Sequence, residues 1–334
     1  MPKILNGRFV ILGGASQVGS HIADQLLIAG AREVVLVDNL SLGSEEGIRH
    51  LVADPRCRLV RADVLRLEQV VATLEGADGA FHVVGLMAST IGQDPWLGMD
   101  VNMRGLYNTA EACRIRGVGK VVFSSSAGIF GVPAGDPITE DFPLRWQEVP
   151  AAMALYGASK AIGESMLRLY RERHQVDYVA LRYTAVYGNR QHRRALVGGG
   201  LAAACLRVRQ GLPPEVEGSG EQRHDYIHVE DVARANVMAM ESDLSGEALN
   251  ICSGTDISRK DAIEMVLRLA GSALRPVQAD APGSVRAGAS MPVTPRQNYS
   301  RERAQRLLGW EPRVSLEEGI ARLLRWCDTL ATTP

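Results

Sequence analysis

Phe9-Val10-Ile11-Leu12-Gly13-Gly14-Ala15-Ser16-Gln17-Val18-Gly19 is the stretch that decides the fold. Four apolar residues read as a strand buried on both faces, and glycines turn it directly into a helix. Glycine lets the backbone approach a pyrophosphate, while the helix start offers unpaired N–H groups and a positive dipole end. Many strand-to-helix turns need glycine only for positive φ, so the neighbouring strands carry the argument. The next one, Glu33–Val37, runs into Asp38, whose carboxylate can accept from ribose hydroxyls and would repel a 2′-phosphate. Asn39 and Leu40 follow it, not arginine. A third, Arg58–Arg61, ends near Asp63 and Val64, within reach of an adenine edge. The expectation is NAD in preference to NADP, held by Gly13, Ser16, Gln17, Val18, Gly19, Asp38, Asn39, Asp63 and Val64.

Outward from this unit the same rhythm continues. Strands are expected at Ala80–Val84, Lys120–Phe123 and Tyr178–Leu181, and helices at Val18–Ala29, Leu67–Leu74, Met99–Arg116 and Tyr156–His174. Alternation of this kind predicts an α/β fold with a Rossmann doubly wound parallel sheet. After Arg182 the loops lengthen, and Gly and Pro gather at 211–220 and 276–295. Ser258 with Asp261 and Ser315 with Glu318 read as helix starts, and Gly309 before Trp310 as a stop. The helix Val229–Met240 and the strand near Ala248–Ile251 can return to the main sheet. The expected organisation is a cofactor-binding domain over 1–182 with returns near 225–252. A smaller, interleaved C-terminal α/β substrate domain then takes most of 183–334.

Bulk properties narrow the classes. The 334 residues are 46% hydrophobic and 22% charged, with net charge −1. That balance argues against a nucleic-acid groove, which needs a basic excess. Five scattered cysteines without a Cys-x-x-Cys pair fit reduced thiols and not a disulfide framework or a zinc site. No signal-peptide core or membrane-length apolar run is present, so the expected location is the cytoplasm. The seven histidines lack metal-ligand spacing, and no metal is expected. His82 reads as a core residue, His228 as a helix cap, and Trp96 as a staple on the helix that follows it.

Tyr156-Gly157-Ala158-Ser159-Lys160 opens the long fourth helix, so Tyr156 and Lys160 share one face a turn apart. The lysine charge is expected to lower the phenol pKa, preparing Tyr156 to exchange a proton with a substrate hydroxyl or carbonyl. Ser126 follows the strand Lys120–Phe123, at the carboxyl edge of the sheet where ligands bind. Ser126, Tyr156 and Lys160 are therefore the expected catalytic set.

With these residues in place, the chain resembles the extended short-chain dehydrogenase/reductase family, in its nucleotide-sugar epimerase and dehydratase group. The likeness runs through Val37–Gly43, His82–Leu86, Phe123–Ala127, Leu181–Gly188, Asp225–Val232 and Leu308–Pro312. It implies cofactor contacts from Ser41, Gly43, Val84, Gly85, Leu86, Asn102, Ser124, Tyr183 and Val186, with Lys160 also on the nicotinamide ribose. It implies a homodimer through the Met99–Arg116 and Tyr156–His174 helices. Four positions depart from the group's pattern. Ser16 replaces the middle glycine of the turn, and Met87 replaces a lysine. Ala185 stands where an asparagine usually meets the substrate diphosphate, and His224 where an arginine usually does. Arg190, Arg193, Arg194, Arg223 and Arg286 lie in substrate-side loops and are expected, with His224 and Ser126, to hold the substrate. Ser126–Gly131 lacks the acid that dehydratases and decarboxylases of the group carry. Two functions stay open: a nucleotide-sugar 4-epimerase, or a net NAD-dependent dehydrogenase/reductase of a non-nucleotide alcohol or ketone.

Overall fold

The computed structural model describes residues 3–132, 136–191, 196, 200–279 and 297–331. Its strands are β1 (Arg8–Leu12), β2 (Glu33–Asp38), β3 (Cys57–Arg61), β4 (Gly79–His82), β5 (Lys120–Ser126), β6 (Asp177–Tyr183), β7 (Ala185–Tyr187), β8 (Glu215–Glu217), β9 (Arg223–His228), β10 (Glu247–Ile251), β11 (Asp256–Ser258) and β12 (Val277–Ala279). Helices α1 (Gln17–Ile28), α2 (Arg49–Val52), α3 (Leu67–Thr73), α4 (Ala88–Gln93), α5 (Pro95–Met99) and α6 (Gly105–Arg116) belong to the first half. The others are α7 (Ala151–His174), α8 (Leu201–Arg209), α9 (Val229–Glu241), α10 (Arg259–Ala270), α11 (Glu302–Leu308) and α12 (Leu316–Ala331).

Seven strands form one parallel sheet in the order β10-β6-β5-β4-β1-β2-β3. Because β1 leads to β2 on one side and pairs with β4 on the other, the chain reverses direction beside β1, and a crevice opens at the strand ends there. The period of two along β1 sends its residues to two different cores. Phe9 and Ile11 meet α1 and α9 through Ile22, Leu26, Val232 and Met240. Val10 and Leu12 face the opposite layer, with Val70 of α3, Leu106 of α6 and Leu167 of α7. Phe9, Phe81 and Phe123 are almost wholly buried, each contributing roughly 1.5–3 kcal/mol by removal from water.

The later chain adds a three-stranded sheet, β11-β9-β7, and a pair, β12-β8. A separate core joins α8, α10 and α12 through Leu201, Cys205, Ile263, Val266 and Leu323. The helix α9 packs on α1 and leads back to β10 in the main sheet, as the sequence predicts. Trp310, fully buried, donates from Nε1 to the Asp231 carbonyl at 3.0 Å. The Asp231 carboxylate accepts from the amides of Arg313 and Val314, both at 2.9 Å, which pins the C-terminal segment to α9.

Ser258, Ser315 and His228 each accept the expected amide bond at a helix start, and Gly309 ends α11 with φ 65°. Three expectations are corrected. The single helix Met99–Arg116 is broken into α5, a π-turn at Asp100–Arg104 and α6. The helix α7 starts at Ala151 after Pro150, so Tyr156 lies in its second turn and not at its opening. Trp96 is 86% exposed on α5, where Asp94 supplies the cap, so its ring is not buried against the helix as a staple would be. All five cysteines are buried and free, and burial pushes the thiols of Cys57, Cys113 and Cys327 up to about 12. No described helix is long and apolar enough to cross a membrane. Among the described residues, no group of three or more His, Cys, Asp or Glu side chains is arranged to hold a metal.

Candidate active site

The turn after β1 closes on itself through Ser16. Its hydroxyl donates to the Gly13 carbonyl at 2.6 Å and accepts from the Gly19 amide at 3.1 Å, capping α1. A Cβ on Gly19 would fall 2.3 Å from the Gly13 oxygen, so the position admits only glycine. Below the turn lies a cavity of about 370 Å³. Gly13, Asp38, Asn39, Ser41, Gly43, Asp63, Val64, Val84, Gly85 and Leu86 line it, together with Leu42, Ala62, Leu65, Thr90, Leu97 and Val101. Asp38 is fixed at both oxygens, accepting from the amides of Leu40 at 2.8 Å and Ala15 at 3.0 Å. Burial raises its pKa, and those two bonds oppose the rise. Asn102 bonds both polar groups of the Leu86 backbone, at 2.7 and 3.0 Å, and holds that wall of the cavity. Glycine turn, carboxylate and apolar slot together fit the adenosine end of a dinucleotide.

The catalytic candidates meet at the far end of β5. Ser126 is its last residue, and its hydroxyl accepts from Gly128 N at 3.0 Å. A Cβ on Gly128 would lie 3.2 Å from Ser126 Oγ and 3.3 Å from Cε1 of the Tyr156 ring, so serine and phenol converge on this turn. A Cβ on Gly157 would lie 2.5 Å from the Gly128 carbonyl, so the missing side chain lets α7 settle on this turn. Lys160 Nζ donates to the Ser124 carbonyl at 2.8 Å and stands 5.8 Å from the Tyr156 ring centroid. Burial lowers Lys160 to about 8, opposed by the Glu164 carboxylate. Burial also raises the Tyr156 phenol, opposed by the Ser126 hydroxyl. The expected lowering by Lys160 is corrected: the phenol is raised by its dry surroundings, and the ammonium is turned toward the Ser124 carbonyl. Beside them, Ser124 Oγ lies 3.1 Å from the Tyr183 hydroxyl, which also accepts from Asn236 at 2.7 Å. Val186, on β7, packs at the margin of the α1/α9 core, as does Val18.

The substrate candidates are dispersed. Arg190 donates to Asp24 on α1 at 2.5 Å. Arg223 donates from Nε to Asp256 Oδ2 at 2.6 Å and from Nη2 to the same residue. His224, on β9, is pushed down to about 4 by burial and then by the Arg259 charge, so it is neutral at neutral pH. Met87 is 60% exposed at the start of α4, and Ala185 begins β7. Arg193, Arg194 and Arg286 lie outside the described residues.

Residues 9–252 match the NAD dependent epimerase/dehydratase family. The chain belongs to that family. It is 31% identical over 330 residues to the UDP-glucose 4-epimerase of Mycolicibacterium smegmatis, covering 96% of this chain and 98% of the other. A UDP-glucose 4-epimerase structure from Thermotoga maritima, with UDP-glucose, superposes with TM-score 0.84 at 27% identity, covering 97% and 99% of the two chains. The UDP-glucose 4-epimerase of Thermus thermophilus, in complex with NAD, gives 0.80 at 30% identity over 96% and 99%. The protein is thus an NAD-dependent enzyme of the extended short-chain dehydrogenase/reductase type.

In this epimerase/dehydratase-family chain two site residues escape sequence reasoning. Glu164 accepts from Ser125 Oγ at 2.6 Å and from Arg182 at 3.0 and 2.7 Å, while Arg182 reaches the Glu140 carbonyl at 2.7 Å. This buried ion pair ties α7 to the ends of β5 and β6, with Ser125 gripped between Ser124 and Ser126. Two signals were available. Glu164 falls one turn beyond Lys160 on a face that is otherwise turned inward, and Arg182 interrupts an apolar strand.

Proposed function

We propose that the chain is a nucleotide-sugar 4-epimerase with Tyr156 as its general acid/base. The observation that carries the reading is the convergence of the Ser126 hydroxyl and the Tyr156 ring on the Gly128 turn at the carboxyl edge of the sheet, with Lys160 on the same helix face as Tyr156. Bound NAD supplies the hydride acceptor and donor. Its adenosine end would lie along Asp38, Asn39, Ser41, Gly43, Asp63 and Val64, and its pyrophosphate on the turn Gly13–Gly19, at the amides of Gln17 and Val18, with Ser16 and Gly19 shaping the turn through their own hydrogen bonds. Val84, Gly85, Leu86, Asn102, Ser124, Lys160, Tyr183 and Val186 would serve the nicotinamide half. Ser126 holds the reacting C4 oxygen against Tyr156. As a phenolate, Tyr156 takes the hydroxyl proton and becomes a phenol, and it returns that proton after the keto sugar presents its other face. Lys160, charged, favours the phenolate from which the step starts. Ser126-Ala127-Gly128-Ile129-Phe130-Gly131 offers no carboxylic acid for the further proton transfers of a dehydratase.

A second reading, a net dehydrogenase of a non-nucleotide alcohol or ketone, draws on the substrate loops: Arg190 and Arg223 already hold carboxylates, and His224 is neutral. Incubation with UDP-glucose decides between them. The 4-epimer should appear without accumulation of NADH, and Tyr156→Phe should slow it by roughly 10² or more, the scale of a lost general acid/base. NADH accumulating with an alcohol substrate, and no epimer from UDP-glucose, would establish the second reading. We also place the enzyme in the cytoplasm as a homodimer. Its interface is the α6 and α7 face that exposes Tyr107, Ile162 and Leu169, where a shallow hollow is lined by Met103 and Met166.

A further inference from the structure

Helix α1 starts on the cofactor turn, yet its side chains hold the other side of the cleft. Gln17, the first helical residue after the Ser16 cap, donates from Nε2 to the carbonyl oxygens of Gly188 at 2.9 Å and Asn189 at 3.1 Å. Two turns later, Asp24 accepts from Arg190. The segment leaving β7 is thus fastened twice to one helix. It is a segment that needs fastening, because Gly188 and Arg190 have φ of 140° and 60°. A Cβ on Gly188 would lie 2.6 Å from Val229, so its backbone is pressed against α9.

Arg190 and Gln191 at the end of this segment line a second cavity, of about 520 Å³, together with Ala15, Gln17 and Gly43 beside the cofactor turn and His50 and Trp326 beyond them. Along the fastened backbone, Asn189 Oδ1, Arg190 Nη1 and Gln191 Oε1 are buried without a hydrogen-bond partner among the described residues. Buried polar atoms are costly to leave unpaired. One cationic donor flanked by two carbonyl acceptors suits a ligand with both an anionic oxygen and hydroxyl groups.

We propose that Gln17 is a positioning residue that couples the two ligand sites, its backbone amide serving the dinucleotide turn while its side chain sets Gly188–Gln191 for the phosphate and hydroxyl groups of the nucleotide sugar. A dinucleotide on the turn orders Gln17, and the second ligand then finds its wall already ordered and loses less entropy on binding. The ligand in this inference rests on the epimerase reading; the latch itself does not.

The test uses the NAD-loaded protein and Gln17→Leu, which keeps the bulk and removes the donors. Amide hydrogen exchange over Tyr187–Gln191 should quicken, and the Kd for UDP, measured at saturating NAD, should rise roughly tenfold, the scale of one or two ordinary hydrogen bonds. Gln17→Lys, which restores a donor of similar reach, should recover most of both effects. Unchanged exchange overturns the latch. Faster exchange with unaltered UDP affinity overturns the coupling. If the wild-type protein does not bind UDP at all, the nucleotide-sugar reading fails, and the exchange measurement still decides the latch.

Discussion

Asp38→Asn should erase the preference for NAD over NADP. The carboxylate cannot swing aside, since each of its oxygens holds an amide, of Leu40 on one side and Ala15 on the other. Gly43 crowds it further: a Cβ there would lie 2.8 Å from Oδ1. A 2′-phosphate of about −1.5 to −2 charges at roughly 5 Å would be repelled by about 5–7 kcal/mol at an effective dielectric constant near 20. The phosphate can turn toward solvent at the cavity mouth, where salt screens it, so the discrimination that survives is set at no less than about 1.4 kcal/mol, a tenfold ratio. In the asparagine variant the charge is gone and one amide bond is lost, so NAD binding weakens roughly tenfold while NADP binding improves. Calorimetric titration of nucleotide-stripped wild type and variant with each dinucleotide measures the two ratios. Equal affinities in the wild type, or an unchanged ratio in the variant, would refute the reasoning. Burial raises the Asp38 pKa, so the wild-type preference should also begin to fade, as pH falls, above the range of an ordinary aspartate.

Two further outcomes follow from the buried charges. Glu164→Ala leaves Arg182, whose side chain is 10% exposed, without its carboxylate, and should cost about 3–5 kcal/mol of stability in denaturant unfolding; a loss below about 1 kcal/mol would mean that water reaches the guanidinium. Lys160, lowered to about 8, should give turnover an alkaline limb near that value. Because the folded chain then binds fewer protons than the unfolded one, stability should rise with pH from about 8 up to the unfolded lysine's range near ~10.4. Turnover level to about pH 10, or a stability rise that persists in Lys160→Met, would contradict the assignment.

The strands of the main sheet are legible because a parallel strand covered on both faces must be a continuous apolar run. Their ends are read less well: Ser124, Ser125 and Ser126 continue β5 in register with β6 as far as Tyr183, and β4 stops at His82 although the apolar run goes on to Val84. The short helices α4 and α5 carry no such signal, and nothing in Asp100–Arg104 announces a π-turn. Residues 151–155 are mostly part-exposed, so the apolar pattern of α7 starts later than the helix does. Within the site, the glycine turn, Asp38 and the Ser126, Tyr156, Lys160 set are readable because the chemistry demands those residues at fixed spacings. Partners are not. Which carboxylate an arginine finds is decided by tertiary packing, and Asp24, Asp256 and Glu164 are far in sequence from Arg190, Arg223 and Arg182 or lie on other elements.

The place of β10 at the margin of the sheet bears on how the chain leaves the ribosome. Synthesis delivers β5 and β6, Ser124–Ser126 included, long before Glu247–Ile251 exists to pair with Val179–Tyr183. Until then the nascent chain carries a bare, apolar strand edge of the kind that recruits other chains into aggregates. Arrival of α9 and β10 seals that edge, and the new margin is blunted in turn, because Glu140 accepts the Asn250 amide at 2.8 Å. The later residues thus protect the sheet from mispairing as well as finishing it, and a chain halted after β6 would keep that strand's edge exposed.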